Sequence, residues 1–278
     1  MIRLFLFVAI LCVFSLSFTN SSMASEFNVA VFVSDSSSLA ESAVVESFET
    51  IGGNTFKYTE FNIATGGTRP IAGGAKPVDL VKDGKLKFSD FNIIWFAWNG
   101  PGHDSNYFMT GVEEDILKLV ENGGVVYSSA FDDNFRDQNG KQIGGWMPID
   151  KYPCAVMDTG DTDAEITPEG EKTPLFTTPN KITNSDLSKL TLDDNLNPQT
   201  NEYLALAVRA DNNKPAIAQL KYGKGTYIHC CIDARSTFPA ATPLMENMLN
   251  YIATLGKSLA VDRSGKLSTV WADVKTFR

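Results

Sequence analysis

The apolar residues of this chain fall into short continuous runs that alternate with segments of helical spacing. Between some of the runs, apolar residues recur three and four positions apart, which predicts helices over residues 39–51, 112–120 and 244–255. The runs themselves predict strands at residues 28–34, 55–61, 92–98, 125–130, 204–209, 216–220 and 226–232. Because strands joined through helices lie parallel in one sheet, this order predicts an α/β fold, a flavodoxin-like three-layer sandwich with a mostly parallel central sheet.

One α/β domain is predicted over residues 25–256, and it carries two loop-rich insertions. The insertion at about 62–90 contains two Gly-Gly pairs and two prolines and shows little periodicity, and the insertion at about 131–199 is acidic. Five residues give the first helix its apolar spacing: Leu39, Ala43, Val44, Phe48 and Ile51. The tail, residues 257–278, is predicted to form a turn and a short amphipathic helix.

The N-terminal segment has the organisation of a secretory signal peptide. Arg3 precedes an apolar run from Leu4 to Phe14 that is too short to span a bilayer, and Ser22-Met-Ala24 forms a small-x-small ending. We expect cleavage near Ala24 and a secreted or periplasmic mature chain without a membrane-spanning segment. Three cysteines then remain, Cys154 and the adjacent pair Cys230 and Cys231. They are compatible with three buried thiols, or with one disulfide from Cys154 to a member of the pair.

Composition narrows the classes of function. The formal net charge of −9 argues against a nucleic-acid binder, because phosphate neutralisation requires an excess of Lys and Arg. The hydrophobic fraction of 43% argues against a disordered chain. No cofactor motif is present, and no metal site is predicted. The acidic groups around Asp132-Asp133 and Asp158–Glu165 lack the glycine and terminal glutamate of a calcium loop, so we interpret them as solvated loops.

Three local patterns occur in a fixed order along the chain. The first is a helix that ends in Asn122-Gly-Gly124 before the strand Val125–Ser128, and the second is Pro174-Leu-Phe176. The third is Gly223-Lys-Gly225 followed by a strand and a helix. In this order they resemble the class I glutamine amidotransferase-like superfamily, in particular its trehalose-utilisation-type branch, over roughly residues 27–256. The resemblance implies a link to carbohydrate metabolism.

The chain departs from that superfamily at its catalytic Cys-His-Glu triad. The nucleophilic cysteine of the family lies on a sharp turn after a strand, and the corresponding turn here is Ser128-Ser-Ala130, without cysteine. The family's His-Pro-Glu pattern would fall near residues 229–234, where it is absent. Because amide hydrolysis requires a nucleophile and a base, we expect no glutaminase activity.

Polar residues follow three predicted strands at the sheet edge where α/β proteins bind ligands, outside the carboxyl ends of the strands. Candidate catalytic residues are His103, Asp104, Ser129 and Asp233, of which Ser129, His103 and Asp233 form a conceivable hydrolytic triad. Candidate ligand-binding residues are Asn99, Gly100, Gly102, Asp132, Asp133 and Arg235. An exposed loop histidine at position 103 and a serine outside any Gly-x-Ser-x-Gly elbow are the structural alternatives.

His229 shares a strand face with Cys231, which suits a metal site or a nucleophilic pair, or else a packed strand with buried thiols. Trp95, Trp98 and Trp146 are candidates for stacking a sugar. Because Trp95 and Trp98 have opposite parity on their strand, at least one of them belongs to the core.

Two functional hypotheses follow. The favoured one is an exported, non-catalytic domain that binds a small molecule, saccharide-related on the strength of the resemblance, or a protein partner through the sheet edge or residues 258–278. The alternative is a hydrolase or sugar-modifying enzyme that uses His103, Asp104 and Asp233, with or without a metal.

Overall fold

The computed structural model describes residues 25–34, 36–63, 73–98, 109, 111–130, 146–147, 155–156, 160–192, 194–198, 200–232 and 241–256. The predicted signal peptide and the tail therefore lie outside the described residues. Within them, no helix is both long enough and apolar enough to cross a membrane.

The secondary structure follows the predicted alternation. The strands are β1 (Glu26–Val33), β2 (Thr50–Ile51), β3 (Asn54–Asn62), β4 (Ile93–Phe96), β5 (Val125–Ser128), β6 (Ala155–Val156), β7 (Ala164–Ile166), β8 (Asn195–Leu196), β9 (Leu204–Arg209), β10 (Pro215–Tyr222) and β11 (Gly225–Cys230). The helices are α1 (Ser36–Glu46), α2 (Pro77–Lys82), α3 (Glu113–Glu121), α4 (Asn184–Leu187) and α5 (241–256). Short 3₁₀ turns are Phe88–Asp90, Gly170–Lys172 and Pro174–Phe176.

Nine strands of the described part form one mixed sheet in the order β2-β3-β1-β4-β5-β11-β10-β9-β7. The pairs β3–β1, β1–β4, β4–β5 and β5–β11 are parallel. The pairs β2–β3, β11–β10, β10–β9 and β9–β7 are antiparallel. Half of the pairs between these strands are therefore antiparallel, and the predicted flavodoxin-like sandwich with a mostly parallel sheet is wrong.

Two tight turns account for two of the four antiparallel pairs, β9–β10 and β10–β11. Residues 210–214 join β9 to β10, and Gly223-Lys224 joins β10 to β11. Connections this short join only antiparallel neighbours, because a parallel pair requires a crossover of about a dozen residues. Gly223 has φ +57°, and a Cβ there would lie 2.7 Å from Cα of Glu121, so the second turn requires glycine. The central residues of β10 are buried on both faces, and their continuous apolar run therefore looks like a parallel strand.

The parallel strands supply the centre of the core. All four residues of β4 and all four of β5 are buried, and the Phe32 ring of β1 packs against Phe61, Phe88 and Phe96. Because these neighbouring strands are covered on both faces, every one of their residues removes apolar surface from water.

The described part of the second insertion packs onto the domain through a buried arginine. Arg209 is fully buried in β9, and its guanidinium donates to the carbonyl oxygens of Gly160 (2.7 Å) and Leu192 (3.1 Å). Both oxygens of Asp211 accept N–H groups of the same guanidinium, at 3.0 and 2.9 Å, and the carbonyl oxygen of Asp194 accepts another at 3.3 Å. One side chain thus satisfies backbone acceptors at both ends of residues 160–192.

Candidate functional site

The carboxyl ends of the central parallel strands lie side by side. In register, Phe32 of β1 pairs with Phe96 of β4, Phe96 with Ser128 of β5, and Ser128 with His229 of β11. The strand order changes direction between β1 and β4, because the chain goes from β1 to β3 on one side and then to β4 and β5 on the other. Such a switch point is where open α/β sheets form ligand crevices.

The predicted site residues fall mostly outside the described part of the chain. These are Asn99, Gly100, Gly102, His103, Asp104, Asp132, Asp133, Asp233 and Arg235. Their roles remain predictions. Ser129 is described, and it lies at this edge directly after β5 with only 4% of its surface exposed.

Glu41 of α1 contacts the carboxyl ends of β4 and β5 at the switch point. Its side chain is fully buried. Its Oε1 accepts the indole N–H of Trp95 at 2.7 Å, and its Oε2 accepts the backbone N–H of Trp98 and the hydroxyl of Ser129, both at 2.9 Å. Three donors from the ends of β4 and β5 therefore converge on one carboxyl group, which is the satisfaction that a buried acid requires.

Glu41 was not among the predicted site residues, because the predicted apolar stripe of α1, which begins at Leu39, is not the face that the helix buries. The buried residues of α1 are Ser38, Glu41, Ser42 and Val45, whereas Leu39 is 37% exposed. The hydroxyl of Ser38 also accepts the backbone N–H of Ser34 at 2.8 Å and so joins the helix to the end of β1. The buried face is held largely by hydrogen bonds of Ser38, Glu41 and Ser42. In the sequence, the sign of this face was the spacing i, i+3 and i+4 of these three polar residues.

We call the turn after β5, residues 128–130, the elbow, and it contains one residue in a strained backbone conformation. The backbone N–H of Ser129 donates to the carbonyl oxygen of Phe96 at 3.0 Å, which fixes the turn to β4. Ala130 follows with φ +45°, in the left-handed region that a residue with a Cβ rarely adopts. The resemblance would place a catalytic cysteine in the turn Ser128-Ser-Ala130, and the residue in the left-handed conformation there is alanine.

Polar groups next to the elbow are deeply buried. Burial raises the pKa of the Tyr127 phenol well above its ordinary value, with Cys230 and Glu41 adding to the effect. Burial also raises the pKa of the Cys230 thiol to about 12, so this thiol is not poised as a nucleophile. Cys231 is buried as well, and the described residues contain no disulfide. The hydroxyl of Ser128 is buried and has no hydrogen-bond partner among the described residues.

His229 lies in an aromatic environment inside the sheet. Its ring centroid is 6.2 Å from those of Trp146 and Tyr203, and it stacks with Tyr227 at 6.5 Å. Burial lowers the pKa of His229 to about 3, so the imidazole is neutral at physiological pH. These contacts favour a packed core histidine. Within the described part, no three His, Cys, Asp or Glu side chains cluster as metal ligands would.

The three candidate tryptophans differ in exposure. Trp95 and Trp146 are fully buried and therefore present no ring face to a ligand. Trp98 follows the end of β4, is partly exposed, and has its backbone N–H held by Glu41. The prediction that Trp95 or Trp98 belongs to the core is confirmed for Trp95.

Comparison with known proteins gives structural likenesses only. No family model matches the chain, and no curated protein does. Two bacterial β-galactosidases are among the solved structures that align with it. The enzyme from Rahnella sp. R3 has 12% identity, a TM-score of 0.45, and coverage of 84% of this chain and 32% of that one. The enzyme from Bacillus circulans sp. alkalophilus has 11% identity, a TM-score of 0.43, and coverage of 81% and 30%.

An exo-β-1,4-mannosidase from Opitutaceae bacterium strain TAV5 aligns at 10% identity and a TM-score of 0.39, covering 84% of this chain and 35% of that one. The chain thus spans about a third of the length of the glycoside hydrolases with which it aligns. At these scores the likeness carries no argument about activity.

Proposed function

We propose that this chain is an exported, non-catalytic domain of the amidotransferase-like type that binds a small saccharide-related molecule at the carboxyl edge of its sheet. The observation that carries the proposal is the elbow after β5. Ala130 adopts the left-handed conformation there, and the hydroxyl of the neighbouring Ser129 donates a hydrogen bond to Glu41.

The elbow is poorly suited to acyl or glycosyl transfer through Ser129. A nucleophile must reach a substrate, but Ser129 is only 4% exposed. The Glu41 oxygens that would have to take up its proton already accept the Trp95 indole and Trp98 backbone N–H groups. A carboxylate within hydrogen-bond distance also opposes the negative charge that develops in acyl transfer, and this opposition is strong where water is excluded. The same arrangement supports a rigid binding surface, because α1, β4 and β5 are tied together at one point.

Trp98 is the side chain on which the saccharide preference rests. Trp98 is a partly exposed residue directly after β4 at the switch point, and Glu41 fixes its backbone. An indole ring with an open face offers the apolar surface against which a sugar ring packs, while nearby polar loops supply hydrogen bonds. The predicted export signal before Ala24 is consistent with a ligand met outside the cytoplasm.

The proposal is tested by calorimetric titration of the mature chain, residues 25–278, with a panel of mono- and disaccharides. At least one saccharide should bind, and Trp98→Leu should weaken that binding tenfold or more, while Trp271→Leu in the tail leaves it unchanged. No heat and no change in melting temperature with any member of the panel would contradict the saccharide preference. A protein partner would then be the remaining occupant of this edge.

A second arm addresses catalysis. Aryl esters and aryl glycosides should not be hydrolysed by the mature chain, and Ser129→Ala should change nothing. Turnover that disappears in His103→Ala and Asp233→Ala variants would instead establish the enzymatic alternative and exclude the non-catalytic one.

A further inference from the structure

A cavity of about 360 Å³ lies between α4 and the start of α5, away from Glu41 and Trp98. Its apolar lining consists of Ile182, Leu187, Leu190, Pro243 and Leu244. The volume falls within the range of about 300–1,000 Å³ that is typical of small-molecule sites. Because no aromatic residue is part of the lining, the cavity lacks the stacking surface that a saccharide prefers.

The charged groups at the cavity divide into a neutral pair and a single cation. Nζ of Lys189 lies 2.9 Å from Oδ1 of Asp186, and the hydrogen bonds from Lys189 and Thr183 hold the pKa of Asp186 well below its usual range. Lys181 also lines the cavity, and it forms no ion pair with any described residue. In a chain of net charge −9, a lysine without an ion pair among the described residues is a distinguishing feature of this cavity, whose lining combines aliphatic and polar side chains.

The walls of the cavity are held in place without a ligand. Oδ1 of Asn247 accepts the backbone N–H of Asn180 at 2.8 Å, and Nδ2 of Asn247 donates to the carbonyl oxygen of Asn180 at 2.7 Å. Nδ2 of Asn180 donates to Glu246 at 2.7 Å, so this nearby carboxylate, which is outside the lining, already has a partner. These contacts fix the segment before α4 to α5, so little ordering would be required on binding.

We infer that this cavity binds a small molecule with an apolar body and a single carboxylate, whose charged end meets Lys181. The aliphatic lining receives the apolar body. This second site does not depend on the proposed function at the sheet edge.

The probe is octanoate, titrated calorimetrically into the mature chain beside butanoate, hexanoate and the uncharged octanamide. Affinity should rise by up to about fourfold for each added CH₂ group until the cavity is filled. Octanoate should bind more tightly than octanamide. Lys181→Gln should weaken octanoate binding about threefold to fivefold without affecting octanamide, as expected for a rim charge. Lys181→Arg should retain the affinity.

Lys224→Gln is the matched control, because Lys224 is an exposed lysine away from the cavity. Equal weakening by Lys224→Gln, equal affinity for octanoate and octanamide, or no binding at millimolar concentration would each overturn the inference. Trp98→Leu should leave octanoate binding unchanged, so a failure at this site is distinguishable from a failure at the sheet edge. Loss of octanoate binding in Trp98→Leu would show that the probe occupies the sheet edge instead.

Discussion

The hydroxyl of Ser129 donates a hydrogen bond of 2.9 Å to Oε2 of Glu41, although the two residues are 88 positions apart in the chain. This bond joins the first helix to the turn after β5, and the same carboxyl group also binds the indole of Trp95 and the backbone of Trp98. The ends of β4 and β5 are therefore tied to α1 through one buried acid, and the rigidity of the proposed binding edge depends on it.

Replacing Glu41 should destabilise the domain strongly. Glu41→Ala leaves the Trp95 indole N–H and the Trp98 backbone N–H buried without an acceptor, at a cost of about 1–3 kcal/mol each. We expect a loss of about 3–5 kcal/mol in the free energy of unfolding, measured by urea denaturation, and a smaller loss of about 1–2 kcal/mol for Glu41→Gln.

The control for Glu41 is Glu114→Gln on α3, where an exposed carboxylate pairs with Lys118 at 3.3 Å. That change should alter stability by less than about 0.5 kcal/mol. A Glu41→Ala variant as stable as the Glu114→Gln variant would show that the buried network contributes nothing.

The hydrophobic pattern was sufficient to locate most of the sheet. Strands predicted at 28–34, 92–98 and 125–130 correspond to β1, β4 and β5, because continuous apolar runs of this length, bounded by turns, are typical of buried strands. The direction of β9 and β10 was not captured by that pattern, since a strand buried on both faces has the same pattern in either orientation. The antiparallel direction of these strands was indicated instead by the short turns at residues 210–214 and 223–224.

The candidate site was less predictable than the sheet. Parallel pairing of β4, β5 and β11 follows from the sequence, and it brings the turn containing Ser129 to the expected edge. The burial of Glu41 does not follow, because its donors lie 54 to 88 positions away and are assembled only by the tertiary fold. A charged residue among serines on a helix predicts solvent exposure unless its partners are known.

His229 should make stability depend on pH between about 5 and 7. Burial lowers its pKa in the folded protein to about 3, against an ordinary value of about 6.5 in the unfolded chain. Between these values the unfolded chain binds a proton that the folded chain does not. Stability is therefore complete above about pH 6.5 and falls as the pH decreases, by about 2 kcal/mol at pH 5.

The pH dependence is best measured by urea denaturation in a His103→Gln background, which leaves His229 as the remaining histidine. Adding His229→Phe, which keeps a ring among Trp146, Tyr203 and Tyr227, should remove most of the slope between pH 5 and 7. An unchanged slope would mean that the imidazole is not buried in the neutral form.

Arg209→Lys should loosen the second insertion. Lysine has three donors and no planar fork, so it cannot reach the carbonyl oxygens of Gly160 and Leu192 and both oxygens of Asp211 at once. We expect a loss of about 2–4 kcal/mol in the free energy of unfolding. Hydrogen exchange should accelerate first in residues 160–192. Lys172→Arg, at an exposed pair with Glu169, serves as the control, and uniform exchange across the domain would contradict a local role.

The left-handed conformation of Ala130 predicts an unusual response to glycine. At φ +45° the Cβ of alanine is strained by about 1–2 kcal/mol, whereas glycine adopts this region readily. Ala130→Gly should therefore raise the free energy of unfolding by up to about 1 kcal/mol, and Ala130→Val should lower it by more than that amount. The control is Ala43→Gly at an exposed position of α1, which should lower the free energy of unfolding by about 1 kcal/mol. If Ala130→Gly destabilises the domain as Ala43→Gly does, the turn after β5 is not strained at this position.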